Sequence, residues 1–493
     1  MTDGLYIGVD LGTTGIKAGL FEATGRTVGT SARGIELDTP APGFAEFDAG
    51  EYIENVFDAI RELLRSPDAD AGAVRAIGLS SQAQAFVVLD ERGNPIRPAV
   101  SWLDVRAGDE AEELSVLAEA GRGEPLTAIA STPKLLWLRR HEPEIMASAA
   151  AVQLLPDHLI YRLTGRAVSD PITAASTGAY DRWGRRWVVP VLETCGLTTG
   201  MMPDVAAPGQ PAGTLTAEAA GELGLAREVA AVVGTNDQYA GALGAGNAFP
   251  GCASLALGTA LAIVVTTDSQ EDIPRGVMIS PHPASSDDQA LYAMLAFAKT
   301  SGVLLRWFQA QFAPALSYEE LFAEAASAPI GAHGATCIPH FSGTATPDFN
   351  PAVRGAFVGL TLSHTRAHLF RALLESLAFT VQENLQLLSR AVPLTPIRAI
   401  GGGARSDVWL QMMADAAGLA VERPQTREAA CLGAAALGMV GAGRSDTVAT
   451  AVKELFELDV RFEPDADRKE QYDLARQRYH HWFRVTYPGD APS

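Results

Sequence analysis

Cysteine is scarce in this chain, four in 493 residues, and no two form a Cys-x-x-Cys pair, so neither a disulfide framework nor a thiolate zinc site can be built. Cys195, Cys252, Cys337 and Cys431 are dispersed as in a protein kept in a reducing compartment, and Cys337-Ile-Pro-His340 is the one place where Cys and His come close. Basic residues are also few: 38 Lys and Arg against 58 Asp and Glu leave a net charge of −20. Binding a phosphate backbone needs a positive surface, so a nucleic-acid partner is not expected. Long apolar runs are missing too. The longest, Ala253 to Val265, is short of the ~20 residues of a spanning helix and is broken by Gly258-Thr259, so it reads as a buried hairpin and no membrane is expected. The first residues enter a strand without a basic leader, which predicts no signal peptide and a cytoplasmic protein. Only Pro488 to Ser493 reads as disordered.

What is present is a globular composition, 47% hydrophobic and 19% charged, with length enough for two or three domains. Near its start runs Ile7-Gly8-Val9-Asp10-Leu11-Gly12-Thr13-Thr14-Gly15-Ile16-Lys17-Ala18-Gly19-Leu20. An apolar strand meets an acidic residue, a Gly-Thr-Thr-Gly turn and a second alternating strand, so unhindered N–H groups and two hydroxyls gather where phosphate can approach. Walker and dinucleotide glycine loops open a helix; this one turns strand into strand. It resembles the phosphate-binding hairpin of the actin/hexokinase/Hsp70 ATPase superfamily, with a ligand-free tight hairpin as the plain alternative.

The pattern returns half a chain later as Leu257-Gly258-Thr259-Ala260 between apolar strands. A duplicated strand–Gly-Thr–strand element implies two lobes of like architecture, each offering one phosphate hairpin to a shared cleft. Strand and helix patterns alternate in both halves, as an α/β fold requires. The Pro-Gly turn within 247–251 sets the expected boundaries: an N-terminal lobe over 1–247, a C-terminal lobe over 248–445 and a strand/helix extension over 446–493. Asp48-Ala-Gly-Glu51 predicts a helix start, with Ile53, Val56, Phe57, Ile60 and Leu64 on one face. Ile397 to Ile400 predicts a strand entering Gly401-Gly402-Gly403, after which Ser406 caps a helix.

Several segments together resemble the FGGY family of carbohydrate kinases. Thr132-Pro133-Lys134-Leu135-Leu136-Trp137-Leu138 is similar to the core of its first signature, with Ile129 departing from the small or aromatic residue asked for at the leading position. Gly355-Ala-Phe357-Val-Gly359-Leu360, followed by His368-Leu369 and Ala372-Leu373-Leu374-Glu375, resembles the second signature with a spacer one residue short. Gly234-Thr235-Asn236-Asp237-Gln238 resembles the segment carrying the family's catalytic Asp. The resemblance implies an α/β fold of two actin-like, ribonuclease H-like lobes with a ligand cleft between them, ATP as donor and Mg²⁺ as cofactor. It makes Asp237 the general base, because an alcohol is a poor nucleophile until its proton has an acceptor. Asp10 would anchor Mg²⁺, with Gly12, Thr13, Thr14 and Lys17 around the transferring phosphoryl group. Gly258 and Thr259 would contact phosphate, and Gly401, Gly402, Gly403 and Ser406 the adenosine.

On the acceptor side, Gln82, Gln84, Trp102, Asp104, Asp237 and Gln238 are implied to bind the sugar. Ser80-Ser81-Gln82-Ala83-Gln84-Ala85 occupies the place of a Gly-Gln-Met-His-Gly type segment in xylulose kinases, and Trp102-Leu103-Asp104-Val105-Arg106 resembles their Trp-Asn-Asp-x-Arg. Gln84 stands for their His and Gln238 for their usual Asn, changes able to redirect specificity. Turn and interface hydrogen bonding is the alternative for Gln82, Gln84 and Asp104. The implied activity is transfer of the γ-phosphoryl of ATP to a small sugar or polyol, foremost a pentulose such as D-xylulose. Ribulose, rhamnulose, fuculose, gluconate, glycerol or erythritol remain alternatives, as does an actin- or Hsp70-like nucleotide switch without sugar kinase activity. A homodimer is left open.

Overall fold

The computed structural model describes residues 4–120, 126–286 and 288–488, without the side chains of 118–120. Of the tail read as disordered, residues 489–493 lie outside the described residues. The chain forms two compact units. One draws its described residues from 1–244, 280–288 and 428–455, the other from 245–279, 289–427 and 456–493. Among the described residues no helix is long and apolar enough to cross a membrane.

Each unit is built on a seven-stranded sheet, and both sheets repeat one motif. In the first, Leu5–Leu11 pairs antiparallel with Gly15–Glu22 and parallel with Val74–Ser81, and Gly15–Glu22 continues antiparallel to Thr27–Gly34. In the second, Ala253–Leu257 pairs antiparallel with Leu261–Thr267 and parallel with Ile397–Ile400, and Leu261–Thr267 continues antiparallel to Tyr292–Ala298. The two Gly-Thr turns therefore occupy equivalent corners of two equivalent sheets, as their sequence echo predicts. The central strands are covered on both faces and read as almost unbroken apolar runs, Leu261–Thr267 being buried at every position.

Local signals act where they were expected. The Asp48 carboxylate accepts from the Glu51 N–H at 2.8 Å and starts the helix Ala49–Leu63, whose Ile53, Val56, Phe57 and Ile60 are buried. Ser406 caps Asp407–Ala417 by accepting from the Trp409 N–H at 3.2 Å.

The compact units are divided differently from the sequence boundaries: the described residues of 280–288 join the first unit, those of 245–247 and 456–493 join the second, and a segment near the end changes lobe. Residues 428–455, read as the end of the second lobe and the start of the extension, belong to the first unit. The cause is backbone packing of the helix Ala429–Gly441 on the central strands. A Cβ placed on Gly8 would stand 1.8 Å from the Cys431 carbonyl oxygen, and one on Gly78 would stand 1.8 Å from that of Ala434. Gly78→Ala should accordingly lower the unfolding free energy measured by urea titration by ~1–3 kcal/mol or more, with a lower midpoint, because a backbone carbonyl cannot swing aside as a side chain can. Gly29→Ala, with only Leu63 Cδ2 at 3.7 Å, serves as the control. Equal midpoints for the two variants would contradict the packing argument.

Candidate active site

Parallel pairing places the acidic residues. Asp10 lies opposite Ser80 on the neighbouring strand, and Thr235 lies opposite the same Ser80 from the other side. The short strand Thr235–Asn236 runs straight into the helix Asp237–Gly244. Asp10, Ser80 and the Asn236-Asp237 step thus stand in a row at the carboxyl ends of parallel strands, where open α/β sheets bind ligands.

Ser80 donates its hydroxyl to Asp10 Oδ1 at 2.6 Å. Burial pushes the Asp10 carboxyl above its usual range, offset in part by this hydrogen bond and by Lys17, with Glu428 pushing it further up. Asp237 is half-buried, and its Oδ1 accepts from the Gln238 N–H at 2.8 Å. Its position at a helix start and that hydrogen bond both favour the carboxylate. Burial and the charge of Asp10 outweigh them and push its pKa up to about 7.

The Gly12-Thr13 turn is braced from three directions. Tyr52 donates its hydroxyl to the Gly12 carbonyl at 2.8 Å, and Gln82 Nε2 donates to the same oxygen at 3.2 Å. Thr13 donates to Gln82 Oε1 at 3.2 Å and accepts from Trp102 Nε1 at 2.7 Å. Thr14 at the tip is exposed. Lys17, expected beside the transferring phosphoryl group, makes a 2.7 Å ion pair with Glu428 at the start of Ala429–Gly441. Burial alone would lower the Lys17 pKa, but its hydrogen bond and attraction to Glu428, with help from Asp10, hold it above the usual value.

The residues implied to read the sugar fall into two groups. Gln84 is half-buried with φ +64°, and its side-chain amide has no partner among the described residues; Gln238 follows Asp237 in the helix. Gln82 and Asp104 have polar atoms engaged within the protein. Asp104 is fully buried, accepts from the Ala45 N–H at 2.7 Å and pairs with Arg106 Nη2 at 2.6 Å, so it fixes the loop that carries Trp102. The hydrogen bonding within the fold that the sequence left as an alternative for these two residues is what their contacts display.

The second unit gathers the remaining residues by the same rule. Ala256 and Ile400 are parallel neighbours, so the Gly258-Thr259 turn and the Gly401-Gly402-Gly403 loop leave adjacent strands side by side. Gly258, Thr259, Gly401 and Gly402 are exposed. Gly401 sits at φ +90°, where a Cβ would come 3.0 Å from the Leu257 carbonyl oxygen. The Gly258 carbonyl accepts from Gly302 N–H at 2.9 Å, and Arg306 Nη2 donates to Thr259 Oγ1 at 3.3 Å. Tyr52, Glu428 and Arg306 were missed in the sequence because each reaches its partner across tens to hundreds of residues without a local pattern.

This arrangement is that of an α/β protein with a glycine-rich Gly-Thr turn in each of two like sheets, and the comparisons give its family. The model of the FGGY family of carbohydrate kinases, N-terminal domain, matches residues 5–244 and that of the C-terminal domain matches residues 253–442. The chain belongs to the FGGY family of carbohydrate kinases, and kinases of this family use ATP. It is 30% identical to a xylulose kinase of Staphylococcus epidermidis over 97% of this chain and 96% of that protein. It is also 30% identical to a glycerol kinase of a Geobacter species, over 95% of this chain and 96% of that one. The crystal structure of xylulose kinase from Rhodospirillum rubrum superposes with a TM-score of 0.87 at 30% identity, covering 98% of this chain and 99% of the other.

The raised pKa of Asp237 carries a consequence for stability. A carboxyl whose folded-state pKa lies above its unfolded value of ~3.9 favours folding when protonated, and that contribution is lost as pH rises through the folded pKa, about 7 here. Asp237→Asn should therefore melt higher than the parent at pH 8, with a smaller difference at pH 5. Calorimetric scans at the two pH values check this, and a difference that grows toward acid would contradict it.

Proposed function

We propose that this chain transfers the γ-phosphoryl of ATP to a pentulose of the xylulose type, with Asp237 as general base. The observation that carries the reading is the Asp237 carboxyl, poised at about 7 beside Asp10 at the carboxyl ends of the parallel strands. A base with that pKa is about half ionised at neutral pH and retains driving force to take the proton of an attacking hydroxyl. Full-length similarity to xylulose kinases supports the acceptor class. The N-terminal lobe is assigned the acceptor, the C-terminal lobe the nucleotide through Gly258, Thr259, Gly401, Gly402, Gly403 and Ser406. The cytoplasm is the proposed compartment, in keeping with four free, buried cysteines.

Asp10 fits a magnesium ion. Ser80 takes up Oδ1, leaving Oδ2 without a partner among the described residues, and a carboxylate oxygen is the hard donor such an ion prefers. Among the described residues no group of three or more His, Cys, Asp or Glu could hold a metal, which suits an ion that keeps most of its waters and needs one carboxylate. When bound, Mg²⁺ supplies positive charge to the phosphate oxygens. The protein adds the Gly12–Gly15 turn and Lys17, whose charge is shared with Glu428 until a phosphate competes for it.

An ADP-release screen over ketoses, aldoses, polyols and sugar acids tests the assignment, with xylulose expected to give the highest kcat/KM. Release that is independent of any sugar would instead favour a nucleotide switch, and a glycerol optimum would move the acceptor class. Asp237→Asn should lower turnover by ~10²–10⁴ with ATP binding retained, and parent kcat should fall as pH drops through about 7. Undiminished turnover in that variant would remove Asp237 from the role.

A further inference from the structure

The helix Ser131–His141 presents Ser131, Lys134 and Trp137 at three-residue spacing, which puts them on one side of the helix. Each of the three reaches a segment that carries a residue assigned to the acceptor. Ser131 Oγ donates to the Gln84 carbonyl at 2.9 Å. Lys134 Nζ donates to the Ser101 carbonyl at 2.9 Å, one residue before Trp102. Trp137 meets Phe44 edge-on at 5.5 Å, and the Arg106 guanidinium that fixes Asp104 lies 3.6 Å from the Phe44 ring centre and 4.9 Å from that of Trp137.

Two features of this face go beyond ordinary packing. Gln84 holds a left-handed backbone that non-glycine residues rarely adopt, and both its backbone polar groups are tied, the N–H to Ser176 Oγ at 3.3 Å and the carbonyl to Ser131. Such a conformation persists when its surroundings over-determine it. Lys134 is completely buried on a single hydrogen bond, and burial lowers its pKa to about 7. A leucine or methionine would fill the same space without the desolvation cost of an amine. What a lysine adds is a long-reach donor on the Ser101 carbonyl.

We infer that Ser131 and Lys134 are positioning residues for acceptor recognition, holding the Gln84 and Trp102 loops from behind through one helix face without touching the sugar. This rests on the proposed reading that these loops face the acceptor.

The test compares sugar KM, ATP KM, kcat and melting temperature for Gln84→Ala, Ser131→Ala, Ser131→Thr, the Ser131→Ala/Gln84→Ala double variant and Lys134→Met. Gln84→Ala and Ser131→Ala should each raise sugar KM about five-fold or more, the effect of one lost hydrogen bond, with ATP KM unchanged. Ser131→Thr, which keeps the hydroxyl, should restore it. The double variant should be no worse than Gln84→Ala alone, since residues acting through one another are not additive. Lys134→Met should raise sugar KM in the same selective way. If Gln84→Ala raises sugar KM while Ser131→Ala does not, or shifts both KM values together with the melting temperature, the positioning role is overturned and the reading of Gln84 stands. If Gln84→Ala leaves sugar KM unchanged, both fall. Should Lys134→Met fail to fold, the Ser131 series decides alone.

Discussion

Close approach of backbone to backbone is the constraint on which the first unit depends. The helix Ala429–Gly441 lies against Gly8 and Gly78 on the central strands, and the same contact mode joins it to Asp237–Gly244. There a Cβ on Gly244 would stand 1.9 Å from the Ala429 carbonyl oxygen, and one on Gly433 would stand 1.9 Å from that of Ala240. One helix is thereby locked between the strand that carries Asp10 and the helix beginning at Asp237. Glu428 immediately precedes the first turn of Ala429–Gly441, which explains how a residue 411 positions away in sequence becomes the partner of Lys17.

Electrostatics at the site follow from that geometry rather than from the acidic surface. Burial raises both the Asp10 and the Asp237 carboxyl, and the charge of Asp10 pushes Asp237 further up. Lys17 is the nearby cation, and Glu428 already answers its charge. The cation of the first hairpin is therefore already paired within the fold.

Much of the fold was legible because its signals are local. The Gly-Thr turns, the Asp48 and Ser406 caps and the alternating strands are each decided within a few residues, and the echo between residues 11–14 and 257–260 anticipated a repeated sheet motif. The partners of those residues were less legible. Gln82 reads in the sequence as a sugar ligand because its type and place suit one, and the structure adds that its amide braces the turn beside it. Asp104 likewise serves the loop that carries it. Side chains of identical chemistry serve ligands and turns alike, and only three-dimensional neighbours separate the two uses. The allocation of 428–455 to the first unit escaped the sequence for a related reason: glycine marks a place where something approaches, without saying what.

That allocation makes the first unit discontinuous along the chain, which bears on how the protein is made. A ribosome delivers residues 1–244 well before the helix Ala429–Gly441, and at about 5–20 residues per second the wait is on the order of 10 to 40 seconds. Throughout that interval the glycine-lined strand face at Gly8 and Gly78 has emerged without the helix that covers it. The contacts of the first unit can therefore be completed only after the helix Ala429–Gly441 has been made, however early residues 1–244 emerge.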